Sequence, residues 1–81
     1  MLFQAETNFG LTVENTGHIS LDVFDLNGKL VKTLLNDNFE PGTQNVRWDA
    51  TNESGKKIPS GIYFYQLKTK DINQVQKLIL Y

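Results

Sequence analysis

The sequence has no cysteine and only one histidine among its 81 residues. Without cysteine, neither a disulfide nor a thiolate metal site can support the fold, so an apolar core has to suffice. No apolar run approaches the roughly 20 residues that a membrane span requires. The net charge of −1 also lacks the positive excess that general nucleic-acid binders direct at phosphates. We therefore expect neither a nucleic-acid partner nor direct membrane insertion.

The length and composition indicate one globular domain covering residues 1–81. A chain of this length is near the lower limit at which a single apolar core is sufficient. Apolar residues make up 40% and charged residues 21%, which is typical of folded proteins rather than disordered ones. Residues 1–10 lack the basic and apolar regions of a signal peptide. If the protein is exported, we expect its address to lie elsewhere or to be the domain itself.

The hydrophobic pattern is that of β-strands. Ile19, Leu21 and Val23 alternate with polar residues, which indicates a strand with one apolar face. No segment has the helical period. The predicted strands cover residues 9–13, 19–24, 30–35, 45–49, 61–67 and 75–81. Residues 14–18, 36–38 and 49–60 are predicted as turns or loops. About six strands with turns every 8–12 residues predict an all-β sandwich or barrel.

Two features describe the hairpin between the second and third predicted strands. Asn27-Gly28 is a strong hairpin motif because both residues tolerate a positive φ. In the return strand, the apolar residues come in the pairs Leu30-Val31 and Leu34-Leu35. Such pairing indicates either a β-bulge or burial on both faces.

The residues that carry catalysis are scarce. His18 follows a glycine in a predicted turn, and no serine lies in a nucleophile-elbow sequence. The sequence also contains no zinc-protease, P-loop or dinucleotide-binding motif. A chain of this size is too small to enclose a substrate in a deep pocket. We therefore expect no enzymatic activity.

Residues 49–55 offer the one candidate metal site. Asp49, Asn52 and Glu53 supply oxygen ligands near Gly55, and calcium takes six to eight such ligands. The spacing is not that of an EF-hand. The alternative is that Asp49 and Asn52 bond the backbone of their own loop as Asx-turns. Apart from this weak calcium candidate, no cofactor is expected.

The aromatic residues concentrate in the second half of the chain. Trp48, Tyr63, Phe64 and Tyr65 either pack in the core or form a platform that stacks on sugars. Gly61-x-Tyr63-x-Tyr65 has the spacing of the tyrosine corner of immunoglobulin-like sandwiches, in which the tyrosine hydroxyl bonds a nearby backbone group. This motif favours core packing and narrows the prediction to an immunoglobulin-like antiparallel β-sandwich of about six to seven strands.

The order of motifs resembles one bacterial domain family. The stretch from Ile19 to Leu35 is similar to its apolar hairpin with an Asp-x-x-Gly-Lys turn. Further motifs follow in the same order and spacing: Pro41-Gly42, Val46–Asp49, Ser54-Gly55, Pro59–Leu67 and Lys77–Leu80. The resemblance covers about residues 9–80. It is to the C-terminal sorting domain of type IX secretion substrates and to the related immunoglobulin-like domain of flagellar hook-capping proteins.

The resemblance implies a module at the end of a larger exported protein, found outside the cell or at the outer-membrane surface. Such a sorting domain is recognised by an outer-membrane translocon; a structural accessory module is the alternative, and a carbohydrate-binding module is a third. A domain that a partner protein recognises is bound through its surface rather than through a pocket. A terminal strand can provide such a surface, because its free edge allows strand addition. We expect the partner-binding residues on the last two strands: Lys68, Lys70, Lys77, Leu78 and Leu80. The lysines could instead only protect the edge from aggregation.

Overall fold

The computed structural model describes residues 7–80, with side chains from Phe9 onward. All its regular elements are antiparallel strands: β1 (Thr7–Val13), β2 (Gly17–Phe24), β3 (Leu30–Phe39), β4 (Gly42–Trp48), β5 (Gly61–Lys68) and β6 (Asn73–Leu80). β1 pairs with β4, and the other strands form a sheet in the order β3-β2-β5-β6. The predicted all-β sandwich is confirmed. Tyr81, which was assigned to the last strand, lies outside the described residues.

The β2–β3 hairpin closes through a turn that uses only one positive φ. The Gly28 amide bonds the Asp25 carbonyl at 3.0 Å, and Gly28 has a φ of 80°. Asn27, which also tolerates a positive φ, does not adopt one here. The Asp25 carboxylate instead fixes the turn, because it accepts the amides of Asn27 and Lys29, each at 2.9 Å.

β3 is longer than the sequence suggested. Residues 36–38, predicted as a loop, continue the strand, because β2 starts at Gly17 and pairs with them up to Phe39. His18 accordingly lies in β2 rather than in a turn. The β2–β3 register shifts twice, between Leu21 and Asp22 and between Val23 and Phe24. These shifts favour the β-bulge over burial on both faces as the reason for the paired apolar residues of β3.

The core lies between the two sheets. Leu21 and Val23 on β2 are fully buried, and Trp48 at the end of β4 is 2% exposed. The same cluster includes Phe9, Ala50, Tyr63 and Leu80. Phe9 of β1 meets Tyr65 of β5 edge-to-face, with ring centroids 4.9 Å apart. This aromatic contact joins the two sheets in a chain that has no cysteine to form a bridge there.

β5 has only one fully covered face. Tyr63 points into the core, whereas Ile62 is 41% exposed and Phe64 is half-buried on the opposite face. Apolar residues lie on both faces of β5, a pattern that would also suit a strand covered on both sides. In the described part of the chain no second layer covers the outer face, and this leaves apolar side chains at the surface.

Candidate interaction surface

A tyrosine corner fixes the start of β5. The Tyr63 hydroxyl donates a 2.7 Å hydrogen bond to the Pro59 carbonyl, four residues earlier. Gly61 between them has a φ of 149°, a conformation that a side chain would strain. Burial, together with the nearby negative charge of Asp25, raises the pKa of Tyr63 above its ordinary value of 10.0.

Tyr63→Phe is expected to lower the free energy of unfolding by about 1–2 kcal/mol, because it leaves the Pro59 carbonyl unpaired. The raised pKa adds a pH dependence. The protonated hydroxyl is favoured in the folded state, so its contribution is complete below about pH 10 and is lost as the pH rises through the folded pKa. Urea unfolding at pH 8 and pH 11 should therefore show a smaller difference between wild type and variant at pH 11. A difference that stays constant would contradict this assignment.

Side-chain hydrogen bonds hold the loop after β4. Ala50 adopts a φ of 61°, which reverses the chain and brings the Thr51 carbonyl within 3.0 Å of the Trp48 indole Nε1. Thr51 donates from Oγ1 to Oδ1 of Asp49 at 2.6 Å and accepts from the Lys32 ammonium at 3.2 Å. The Lys57 ammonium donates to the Asp49 carbonyl at 2.7 Å. Two lysines therefore bring positive charge to this loop.

The three candidate calcium ligands are engaged separately. Asn52 Oδ1 accepts the amides of Ser54 and Lys56, which is the Asx-turn alternative, and Glu53 accepts the Thr33 amide at 2.8 Å. The hydrogen bond from Thr51 is the main cause that lowers the pKa of Asp49. Within residues 7–80 no group of three or more metal-ligating side chains is brought together.

Lys32→Met should lower the free energy of unfolding by about 1 kcal/mol, because Thr51 and the Asn52 carbonyl each lose a donor. Amides of residues 50–57 should exchange faster with solvent, as hydrogen exchange would detect. Lys29→Met is the matched control, since Lys29 is exposed in the hairpin and its side chain holds no loop. Calcium at millimolar concentration is expected to leave the melting temperature of the wild type unchanged. A rise in melting temperature on adding calcium would show that the loop binds calcium and would contradict this account.

Two further sets of sequence candidates are placed by the structure. His18 is exposed, and its Nε2 lies 2.7 Å from the Asn36 Oδ1, an amide that cannot act as an acid, base or nucleophile. Trp48 and Tyr63 are buried, so they cannot stack on a sugar. These two residues pack in the core and take no part in the aromatic platform that was the alternative.

The lysines predicted to bind a partner lie at the surface, whereas the two leucines are partly or fully buried. Lys68, Lys70 and Lys77 are exposed, whereas Leu80 is 5% exposed and Leu78 is half-buried against the core. The assignment of Leu80 to a docking surface is therefore wrong, because strand alternation directs residues 78 and 80 inward. The exposed apolar residues of β6 are Val75 and Ile79, at 58% and 49%. Val75 and Ile79 each lie two residues from the charged Lys77 and therefore share its outward face. This spacing could have identified them from the sequence.

Outward residues on neighbouring strands form a mostly apolar surface around Lys77, which we call the outer face. It comprises the solvent-side residues Phe24, Leu30, Ile62, Phe64, Val75, Lys77 and Ile79 of the four-stranded sheet. Ile62 is paired with Ile79, Phe64 with Lys77, and Phe24 with both Phe64 and Leu30. The outer face thus extends across the four strands of the larger sheet and ends at its edge strand β6. Contiguous exposed apolar surface of this kind marks contact sites on proteins.

Two antiparallel sheets around one core, with a tyrosine corner at the start of β5, define an immunoglobulin-like sandwich domain. The chain belongs to the FlgD Ig-like domain family, whose sequence model matches residues 2–72. A comparison with curated proteins finds no match. Within residues 7–80, no helix reaches the length and apolarity that crossing a membrane would need.

Solved structures show the same fold. FlgD from Xanthomonas campestris, described as a hook-capping protein essential for flagellar assembly, is 23% identical with a TM-score of 0.69; the match covers 95% of this chain and 56% of that one. Truncated FlgD from Helicobacter pylori is 25% identical with a TM-score of 0.62, covering 94% and 59%. Dimeric latent PorU from Porphyromonas gingivalis is 19% identical with a TM-score of 0.69, covering 98% of this chain and 8% of that one. The chain thus spans less than two thirds of the FlgD structures.

Proposed function

We propose that residues 1–81 form a non-catalytic structural module of a longer exported protein, and that this module contacts other protein surfaces in an assembly. The outer face is the observation that carries the proposal, because it presents several large apolar side chains beside an edge strand. Membership of the FlgD Ig-like family supports it, since one similar FlgD is described as a hook-capping protein. The proposed role requires neither a metal nor a cofactor.

The surface is suited to contact rather than to chemistry. Ile62 and Ile79 form an exposed aliphatic pair, and Val75 extends it along β6. Side chains of this type gain about 25 cal/mol for each Å² that a partner covers. The free edge adds backbone hydrogen bonds to that apolar contact, and this combination favours a polypeptide partner over a small molecule.

The test is to place Val75→Glu and Ile79→Glu in the full-length protein and to measure which proteins co-purify with it. Both variants should keep the fold, because both side chains are about half exposed, and both should lose the partner. Leu26→Glu and Ile72→Glu are matched controls, since these residues are 64% and 48% exposed outside the outer face. Equal loss of the partner in variants and controls, or no loss in either variant, would overturn the proposal.

A second candidate is a type IX sorting domain recognised by an outer-membrane translocon. The Tyr63–Leu67 strand and the Lys77–Leu80 segment resemble the sorting type, and the fold match to PorU covers nearly this whole chain. The test is a fusion of residues 1–81 behind a signal peptide and a reporter in a bacterium with this system. Delivery of the reporter to the cell surface would support sorting. A reporter that stays in the periplasm would leave the structural role as the function.

A further inference from the structure

We propose that β6 recognises an extended segment of its partner with the pattern aliphatic–x–Asp/Glu–x–aliphatic, which adds to the sheet as the next strand. This inference rests on the proposed function and specifies the partner's chemistry. The inference rests on one observation: β6 is an edge strand without a bulge, and every second residue from Val75 to Ile79 points outward.

The edge of β6 is suited to strand addition. β6 pairs with β5 without a register shift over eight residues, from Asn73 opposite Lys68 to Leu80 opposite Gly61. Among the described strands it has no neighbour on its other side, so that side offers backbone donors and acceptors to an incoming strand. β3, at the opposite edge, has a register broken by two shifts. Bulges of that kind protect an edge from pairing, so β6 is the better template.

The side chains of β6 determine the pattern. A new strand places every second side chain directly beside Val75, Lys77 and Ile79, within about 5 Å between Cβ atoms. Aliphatic residues beside Val75 and Ile79 cover side chains that are now 58% and 49% exposed. A carboxylate beside Lys77 pairs with its ammonium. Because Lys77 is central, the pattern reads the same in both directions, and it applies to parallel and antiparallel addition alike.

The charge of Lys77 disfavours a second copy of β6 as the partner strand. Within residues 7–80 the Lys77 ammonium has no hydrogen bond or ion pair. The strand itself, Asn-Gln-Val-Gln-Lys-Leu-Ile-Leu, contains no aspartate or glutamate. Pairing of two β6 strands therefore offers Lys77 no carboxylate in any register, and in the register centred on Lys77 it sets two ammonium groups opposite each other. Like charges in that position destabilise pairing.

The proposal is tested with two capped peptides, Thr-Val-Thr-Glu-Thr-Val-Thr and its counterpart with lysine in place of glutamate. Each is titrated into the 81-residue chain while NMR follows the backbone amides of residues 74–80. The acidic peptide should bind about three- to tenfold more tightly, as expected for opposite against like charges across paired strands. Higher salt should reduce this difference, because an exposed pair is screened.

Variants of the protein locate the effect. Lys77→Glu should reverse the preference, so that the lysine peptide binds more tightly. Lys70→Glu makes the same charge change in the β5–β6 turn and should keep the wild-type preference. Equal binding of both peptides, no binding of either, shifts confined to β1 and β4, or self-association of the chain through β6 would each overturn the inference. If Val75→Glu still releases the natural partner while the peptides are not distinguished, the proposed function stands and only this inference fails.

Discussion

Trp48→Ala is expected to lower the free energy of unfolding by roughly 3–5 kcal/mol, because it empties the largest buried side-chain volume in the domain. The total stability of a domain of this size is of the same order, at about 0.05–0.15 kcal/mol per residue. The variant should therefore be largely unfolded at 25 °C, with lost near-ultraviolet circular dichroism and collapsed amide dispersion.

Trp48→Phe separates the two contributions of this residue. It keeps most of the apolar volume but removes the indole donor, and the Thr51 carbonyl loses its 3.0 Å bond. We expect a folded protein that is about 1–3 kcal/mol less stable, with faster amide exchange in residues 50–57. A Trp48→Ala variant with wild-type stability would show that the core is not organised around this side chain.

Leu21→Ala should be the second most damaging change, at about 2–5 kcal/mol. Leu21 has no exposed surface, and on β2 it is flanked by Leu35 of β3 and Leu67 of β5. Truncation leaves a cavity that these strands cannot close without breaking their pairing. The measurement is urea unfolding followed by Trp48 fluorescence.

Leu26→Ala is the matched control for Leu21→Ala. The same atoms are removed at the tip of the β2–β3 hairpin, where Leu26 is 64% exposed, so the change should stay within about 0.5 kcal/mol. Similar losses for the two variants would contradict the assignment of the core to the space between the sheets.

The sequence predicted the local features that depend on neighbouring residues. The alternation of Ile19, Leu21 and Val23 placed β2 with the correct face inward, and the spacing of Gly61 and Tyr63 matches a corner in which the hydroxyl reaches Pro59. The hairpin at Gly28 could also be predicted. Such features depend on the alternation of apolar and polar residues along a strand and on the residue preferences of turns. Both are visible in a window of a few residues.

Other features depended on pairing between distant segments. Asn36, Asp37 and Asn38 have the composition of a loop, yet they form strand because β2 supplies partners for their backbone groups. In the same way, the oxygens of Asn52 and Glu53 resemble metal ligands in sequence, but Glu53 is engaged by Thr33, 20 residues away. Tertiary context overrides local propensity at such positions.

The interaction surface could be predicted only in part. The sequence correctly indicated that Lys77 on the last strand is exposed. It also assigned Leu80 to the surface, but Leu80 is buried in the core. The choice between Leu78 and Leu80 on one side and Val75 and Ile79 on the other requires the register against β5. A shift by one residue would exchange the two sets.

The central claim is that this domain acts by binding protein through the β5–β6 side of its larger sheet. The most direct measurement introduces a photo-crosslinking amino acid in place of Ile79 and, separately, of the exposed Thr43 on β4, in the full-length protein in the cells that produce it. A protein adduct from position 79, with none from position 43, is the predicted result. Adducts from position 43 alone, or equal adducts from both positions, would contradict it.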